Sequence, residues 1–139
     1  MLQEPIANGP KQMRIWQQNL NKSLVAQQDL LNTISPDEYD LILLQEPYID
    51  HNGKTRANHR WRVVYPSSFY TDQSTTRSVL LVNTSLDTNF WKQLDIQTND
   101  ITAIQMTGDF GSIAIFNIYN DCRHSRMLRM LEQYLAVNL

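Results

Sequence analysis

Two strand-like runs separated by a helical stretch constrain the fold of this chain more than any other feature. The first run covers residues 13–19 and ends at Asn19, and the second begins at Leu41 with four consecutive apolar residues and ends just before Glu46. Between them, residues 22–34 carry apolar side chains at a helical period. Strand, helix and strand form a βαβ-like unit, in which polar groups collect at the carboxyl ends of the strands. We therefore expect Asn19 and Glu46 to lie side by side at one edge of a sheet.

Size and composition exclude several classes of protein. The 139 residues are enough for one domain with a substantial core. A net charge of -2 and a pI of about 5.8 do not indicate a nucleic-acid binder, although a catalytic nuclease need not be basic overall. The single cysteine, Cys122, excludes an internal disulfide and a cysteine-rich zinc site. Because no apolar run approaches a membrane span or a secretory signal, we expect an intracellular protein.

The rest of the chain predicts an α/β fold. Residues 1–12 are polar and indicate a loose leader, and strands are predicted at 61–65, 78–82, 101–106 and 113–119. Gly108 to Gly111 predicts a hairpin between the last two strands, and Asp121 is placed to cap a closing helix. We expect a mixed sheet, flanked by helices, whose later strands are antiparallel. Pro47 is expected to hold Glu46 in extended geometry.

Three polar residues at strand ends are candidates for chemistry. Glu46 and Asn19 offer the carboxylate and amide oxygens that hard divalent cations prefer. The alternatives are an exposed strand-end carboxylate and an ordinary turn asparagine. Tyr119 ends another predicted strand, where its phenol is able to donate a hydrogen bond to a phosphate oxygen. A tyrosine packed at a sheet edge is the alternative for this position.

Basic residues follow the candidate carboxylate. The loop after Glu46 and the start of a later strand supply four candidates for contact with a phosphate backbone: Lys54, Arg56, Arg60 and Arg77. For most of these residues individually, a solvated loop is the simpler interpretation.

Three segments together resemble the endonuclease/exonuclease/phosphatase superfamily, and in particular the endonuclease domains of non-LTR retrotransposons. Residues 18–23 (Gln-Asn-Leu-Asn-Lys-Ser) resemble the first motif, residues 43–48 (Leu-Leu-Gln-Glu-Pro-Tyr) the second, and residues 118–120 (Ile-Tyr-Asn) the strand-end tyrosine. The resemblance covers residue 13 to the end of the sequence. It implies that residues 13–139 form a partial domain, the N-terminal half of a four-layer α/β sandwich.

The resemblance also implies an activity. Members of this superfamily hydrolyse phosphodiesters with a divalent cation, Mg²⁺ or Mn²⁺. In this chain the metal ligands would be Asn19 and Glu46, and Tyr119 would contact the scissile phosphate. The implied substrate is a nucleic acid, with DNA favoured, and the implied location is nuclear if the chain derives from a retrotransposon.

Two family motifs have no counterpart here. A Gly-Asp-x-Asn motif should follow the tyrosine strand, yet residues 108–111 precede it and carry glycine in place of asparagine, and no Ser-Asp-His occurs. We therefore expect a truncated domain that is inactive alone. An inner sheet face left uncovered by the missing half would favour self-association or a partner chain. The alternative function is a non-catalytic remnant that binds nucleic acid or a protein.

Overall fold

The computed structural model describes residues 10–71, 76–120 and 126–138. These residues form seven strands and two α-helices: β1 (Ile15–Asn19), α1 (Leu24–Thr33), β2 (Leu41–Gln45), β3 (Trp61–Val64), β4 (Ser78–Asn83), β5 (Trp91–Leu94), β6 (Ile101–Gly108), β7 (Gly111–Ile118) and α2 (Arg126–Asn138). The expected cap at Asp121 and most of the expected leader lie outside the described residues.

The first sheet contains the βαβ unit that the sequence predicts. Its strand order is β1-β2-β4-β3, with β1 parallel to β2 and the other two pairs antiparallel. Helix α1 begins after Ser23, whose hydroxyl accepts a hydrogen bond from the Ala26 N–H at 3.1 Å. The consecutive apolar residues of β2 are buried because helix α1 covers one face of this strand and the second sheet covers the other.

The later strands form a second sheet, not an extension of the first. Its order is β5-β6-β7, antiparallel throughout, and the predicted hairpin joins Gly108 to Gly111, where Gly111 has a φ of +94°. Strand β5 was not expected from the sequence. The predicted mixed sheet is the four-stranded one. The antiparallel later strands form a sheet of their own because both faces of β6 are buried: Ile104 packs towards the first sheet and Ala103 towards α2.

Helix, sheet, sheet and helix therefore lie in four layers within this chain, although the sequence predicted only half of such a sandwich. Helix α1 packs on the outer face of the first sheet, the two inner faces meet, and α2 contacts the outer face of the second sheet through Leu131 and Tyr134. The inner face of the first sheet is covered within the chain, by Ile104, Met106 and Ile115. The expectation of an uncovered inner face is therefore wrong for β2 and β4, whereas the residues of β1 on this face, Ile15, Gln17 and Asn19, are exposed. Residues 111–114 of the edge strand β7 are exposed as well.

Candidate functional site

The carboxyl ends of β1 and β2 bring Asn19 and Glu46 together, as the βαβ pattern predicts. Asn19 pairs in register with Gln45, the residue before Glu46. Past the ends of the strands, the Leu20 N–H donates to the Gln45 carbonyl at 2.9 Å and the Lys22 N–H donates to the Glu46 carbonyl at 2.8 Å. The chain leaving β1 is therefore fixed against the residue that bears the candidate carboxylate.

The backbone at Glu46 is left-handed, with a φ of +48°, and the expected extended geometry is wrong. Left-handed geometry costs a residue with a Cβ roughly 1–2 kcal/mol. Two hydrogen bonds hold it in place, one from Lys22 and one from the Glu46 N–H to the Arg77 carbonyl at 2.9 Å. These bonds outweigh the preference that Pro47 imposes. Strained backbone of this kind clusters at functional sites, where the surrounding structure over-determines it.

The side chain of Asn19 combines a structural bond with access to a cavity. Its Oδ1 accepts a hydrogen bond from the Asn21 N–H at 2.9 Å, an Asx turn that accompanies the positive φ of Asn21, +51°. The cavity beside it has a volume of about 470 Å³ and is lined mainly by amide and phenol side chains, those of Gln17, Asn19, Gln45, Asn117, Tyr119 and Asn120. Glu46 does not line this cavity, whereas Gln45, the residue before it, does.

Tyr119 follows β7 directly and lies at the same end of the two-sheet structure. Its N–H donates to the Asp100 carbonyl at 2.8 Å, and the guanidinium of Arg77 lies over its ring, 5.2 Å from the centre. Arg77 also donates to both carboxylate oxygens of Asp100, at 2.8 and 3.2 Å. Glu46 and Tyr119 are therefore connected through Arg77, whose carbonyl binds Glu46 and whose side chain covers Tyr119.

The sequence did not identify Asp100 as part of this arrangement. The carboxylate is largely buried, with 12 % of its side chain exposed, and it partly neutralises the predicted phosphate contact Arg77. An acidic residue directly before an apolar strand was the available signal, but its partner is 23 residues away in sequence.

The basic loop residues are divided between the two ends of the first sheet. Arg56 is exposed, lies near the candidate site and has its guanidinium 5.8 Å from the ring centre of Tyr48, which follows Pro47. Lys54 is also exposed in this loop. Arg60 immediately precedes β3 and pairs with Asp37 at 3.2 Å, at the amino end of β2. The structure therefore brings Arg56, but not Arg60, to the end that carries Glu46.

A buried glutamine of α1 anchors this loop. Gln27 is fully buried; its amide nitrogen donates to Thr55 Oγ1 at 2.7 Å and to the Arg56 carbonyl at 2.6 Å. Its amide oxygen accepts from the Tyr48 N–H at 2.8 Å. The helical pattern of apolar residues gave no indication of this role. The three bonds fix the positions of Tyr48 and Arg56 relative to the body of the domain.

The end of the first sheet that carries Asn19 and Glu46 has oxygen donors of the type that hard cations prefer, but their number is small. Glu46 supplies the carboxylate and Asn19 an amide oxygen, and across the described ranges no three His, Cys, Asp or Glu side chains cluster in a way that could hold a metal ion. Mg²⁺ commonly keeps several waters and takes one or two carboxylates together with substrate phosphates. One carboxylate, that of Glu46, is within the number that such a site requires.

A chain of amide side chains, of which Gln45 and Asn117 are buried, lies beside the site and was also missed by sequence reasoning. The Gln17 side-chain nitrogen donates to Gln45 Oε1, and the Gln45 side-chain nitrogen donates to Asn117 Oδ1. Asn117 in turn donates to the carbonyls of Leu44 at 2.8 Å and Val79 at 2.7 Å. Polar contacts thus connect the two sheets at the end that carries Asn19, Glu46 and Tyr119.

No helix among the described residues has the length and apolar character needed to cross a membrane. The chain matches no model of a known protein family, and it matches no curated protein.

Among solved structures, the chain is similar to the endonuclease domain of TRAS1, a telomere-specific non-LTR retrotransposon, with a TM-score of 0.65 and 23 % sequence identity. The similarity covers 91 % of this chain and 52 % of the TRAS1 domain. The chain thus spans about half the length of that domain. A likeness at this level of identity defines a shared fold, the α/β fold of a retrotransposon endonuclease domain.

Proposed function

We propose that this chain is a metal-dependent phosphodiesterase domain of the endonuclease/exonuclease/phosphatase type that acts on nucleic acid. The observation that carries the proposal is the placement of Asn19, Glu46 and Tyr119 at one end of a fold similar to a retrotransposon endonuclease domain. Tyr119 comes from the second sheet and the other two residues from the first. Where strand ends from two sheets meet, their side chains hold a reacting group between the two sheets.

Each of these residues has a role in the proposal. Glu46 and Asn19 would hold Mg²⁺ or Mn²⁺, which offsets charge on the phosphate and on the leaving oxygen when bound. The phenol of Tyr119 would donate to a phosphate oxygen. Arg77 keeps the ring of Tyr119 in place while its charge is shared with Asp100. Its role in the proposal is therefore orientation of Tyr119 in addition to attraction of the phosphate.

The proposed substrate is DNA, bound through its phosphate backbone. Arg56 and Lys54 are exposed on the anchored loop that follows Glu46, and they supply positive charge beside the site although the chain as a whole is slightly acidic. Arg60 is left out of this surface because it lies at the opposite end of the first sheet.

We also propose that this half of the domain is inactive or very slow alone. The sequence contains neither the Gly-Asp-x-Asn motif after the tyrosine strand nor a Ser-Asp-His. Loss of a positioned acid–base group typically lowers the rate 10²- to 10⁴-fold. The general base and the groups that stabilise the transition state would come from residues that complete the fold.

Nicking of supercoiled plasmid in Mg²⁺ or Mn²⁺ tests the proposal. We would compare the chain with Glu46→Gln and with Glu38→Gln, an exposed glutamate before the amino end of β2. Any cleavage should fall at least about 100-fold in Glu46→Gln and stay unchanged in Glu38→Gln. Cleavage that survives in Glu46→Gln would contradict the proposed role of this carboxylate.

The second candidate is a non-catalytic nucleic-acid-binding module. The observation that favours it is the small number of acidic ligands near Glu46, described above. Plasmid binding that is weakened by added salt and by Arg56→Ala, but is unchanged by Mn²⁺ and by Glu46→Gln, would support the module. Metal-dependent nicking that needs Glu46 would exclude it.

A further inference from the structure

We propose that Gln45 and Asn117 are positioning residues, which fix the carboxylate of Glu46 relative to the phenol of Tyr119 by bridging the two sheets. The inference rests on the proposed function for its consequence on metal binding and cleavage. Its structural part, the coupling of the two strand ends, stands on the contacts alone. Neither residue is expected to touch the substrate.

The bridge connects two residues that lie just before the two candidate groups in the sequence. Gln45 is adjacent to Glu46 in sequence, and Asn117 lies two residues before Tyr119. The side-chain nitrogen of Gln45 donates to Asn117 Oδ1, so the last residue of β2 is bound to the penultimate residue of β7. A displacement of one strand end is therefore transmitted to the other through a single hydrogen bond.

Every hydrogen-bonding group of the Asn117 side chain is used. Its Oδ1 accepts from Gln45, and its Nδ2 donates to the Leu44 and Val79 carbonyls of two paired strands of the first sheet. The side chain thus contacts three separate positions of the opposite sheet. Asparagine has a short side chain with few rotamers, so these bonds leave little freedom to the end of β7.

Two hydroxyl groups extend the contact between the sheets. Ser78 Oγ donates to the Asn117 carbonyl at 2.8 Å, and Thr102 Oγ1 donates to the Ser78 carbonyl at 2.8 Å. Ser78, Thr102 and Asn117 are all buried. Ser78 begins β4 directly after Arg77, whose carbonyl binds the Glu46 N–H. The network therefore reaches Glu46 by a second route, through the backbone of Arg77.

The position of the network in the core argues for a role beyond packing. Towards the other end of the same intersheet space the contacts are apolar, formed by Leu41, Val82 and Met106 among others. Apolar residues would fill the polar end without the cost of burying amides, since a buried polar group contributes little net stability even when it is satisfied. The amides contribute directional contacts. A hydrogen bond restricts the relative position of two strands more narrowly than an apolar contact does.

Hydrogen exchange provides the first test, since it does not depend on activity. We would compare the wild type with Gln45→Met, which keeps the size of the side chain and removes its bonds, and with Gln93→Met, an exposed amide on β5. In Gln45→Met the backbone amides of Glu46 and Tyr119 should exchange about tenfold faster, a change typical of the loss of one hydrogen bond. The amides of Leu80 and Ile104 in the apolar part of the core should change far less.

Asn117→Leu and the double variant Gln45→Met/Asn117→Leu test whether the two residues act together. Residues that share one interaction are non-additive, so the double variant should accelerate exchange at Glu46 and Tyr119 no more than the more severe single variant. Multiplied effects in the double variant would overturn the proposal. Exchange at Glu46 and Tyr119 that changes no more than at Leu80 would overturn it as well.

Metal binding and kinetics separate this proposal from the proposed function. Residues that orient a metal ligand typically change metal affinity or activity by 10- to 100-fold. If the wild type binds Mn²⁺, Gln45→Met should weaken binding within this range, and Gln93→Met should not. If the wild type nicks DNA, kcat should fall while KM for DNA stays within about twofold, because neither Gln45 nor Asn117 belongs to the loop that carries Lys54 and Arg56. Because nicking by this chain alone is proposed to be slow or absent, a wild type that does not bind Mn²⁺ would refute the proposed function. The exchange data would then decide the coupling of the strand ends.

Discussion

The guanidinium of Arg77 lies 5.2 Å from the ring centre of Tyr119 and covers it. The same side chain donates twice to Asp100, and the Asp100 carbonyl accepts the Tyr119 N–H. Arginine, aspartate and tyrosine therefore form a closed set of contacts at the end of β7. Because the Arg77 carbonyl also binds the Glu46 N–H, the arginine connects the two groups proposed to act on a phosphodiester.

Substitution of Arg77 by lysine should destabilise the domain although the charge is kept. Lysine cannot reproduce the two-point contact with Asp100 or lie flat over Tyr119. We expect the free energy of unfolding to fall by about 1–2 kcal/mol, the range for hydrogen bonds to charged groups. Urea denaturation measures the change, and Arg62→Lys, at an exposed arginine on β3, serves as the control. Equal stability of the two variants would indicate that the Asp100 contact contributes little.

The left-handed backbone at Glu46 predicts an order of stability among variants that all lack the carboxylate. Glu46→Gly should be more stable than Glu46→Ala by about 1 kcal/mol, because glycine adopts a φ of +48° without steric cost. Thermal unfolding monitored by circular dichroism measures the difference. Neither variant should cleave DNA. An alanine variant as stable as the glycine variant would mean that the backbone relaxes when the side chain is lost.

Gln27 should be required for the order of the loop that carries Arg56. Gln27→Met removes three hydrogen bonds and leaves the Thr55 hydroxyl, the Arg56 carbonyl and the Tyr48 N–H without this partner. We expect a loss of about 2–3 kcal/mol of unfolding free energy, since unsatisfied buried polar groups cost about 1–3 kcal/mol. Gln28→Met changes an exposed neighbour on the same helix and should have little effect. Chemical denaturation of both variants provides the comparison.

The salt dependence of DNA binding should distinguish Arg56 from Arg60. Both are exposed arginines in the same connection between β2 and β3, but only Arg56 lies at the end of the sheet that carries Glu46. Arg56→Ala should reduce the slope of log K against log salt by about 0.9, the value for one lost phosphate contact on duplex DNA. Arg60→Ala should leave the slope unchanged. Fluorescence anisotropy with a labelled duplex at several salt concentrations measures both, and equal slopes would contradict the proposed surface.

Protonation of Asp50 at low pH should weaken the hydrogen bonds that order the loop after Glu46. Hydrogen bonds from the backbone of Lys54, at 3.1 Å, and of Asn52, at 2.8 Å, lower the pKa of this carboxyl below its ordinary value of 3.8. A lowered pKa in the folded state means that the stabilisation is present above pH 3.8 and is lost as the pH falls through the folded-state pKa. Amide shifts of Asn52 and Lys54 should therefore titrate below pH 3.8 in the wild type.

The same titration should be absent in Asp50→Asn, whose side chain does not ionise. Because asparagine also accepts hydrogen bonds from the backbone in such turns, the loop should remain folded at neutral pH in this variant. Two-dimensional NMR between pH 6 and about pH 2 records both proteins. A wild-type midpoint above 3.8 would contradict the assigned hydrogen bonds.

Local patterns in the sequence determined the βαβ unit and the position of its polar strand ends. The apolar run before Glu46, the helical period of residues 22–34 and the turn at Gly108 to Gly111 all correspond to observed elements. Such features are predictable because side-chain period and turn residues act over a few neighbouring positions. The adjacency of Asn19 and Glu46 follows from them, because parallel neighbouring strands end at the same edge.

Only the tertiary structure decided how the site is held. The backbone of Glu46 is left-handed because of bonds from Lys22 and to Arg77, and these outweigh the local preference set by Pro47. The bond between Gln45 and Asn117 joins residues 72 positions apart in different sheets. The tertiary structure also decided the position of the second sheet, which packs on the first because both faces of β6 must be buried. Contacts between distant segments depend on the packing of whole layers, and no periodicity within either segment encodes them.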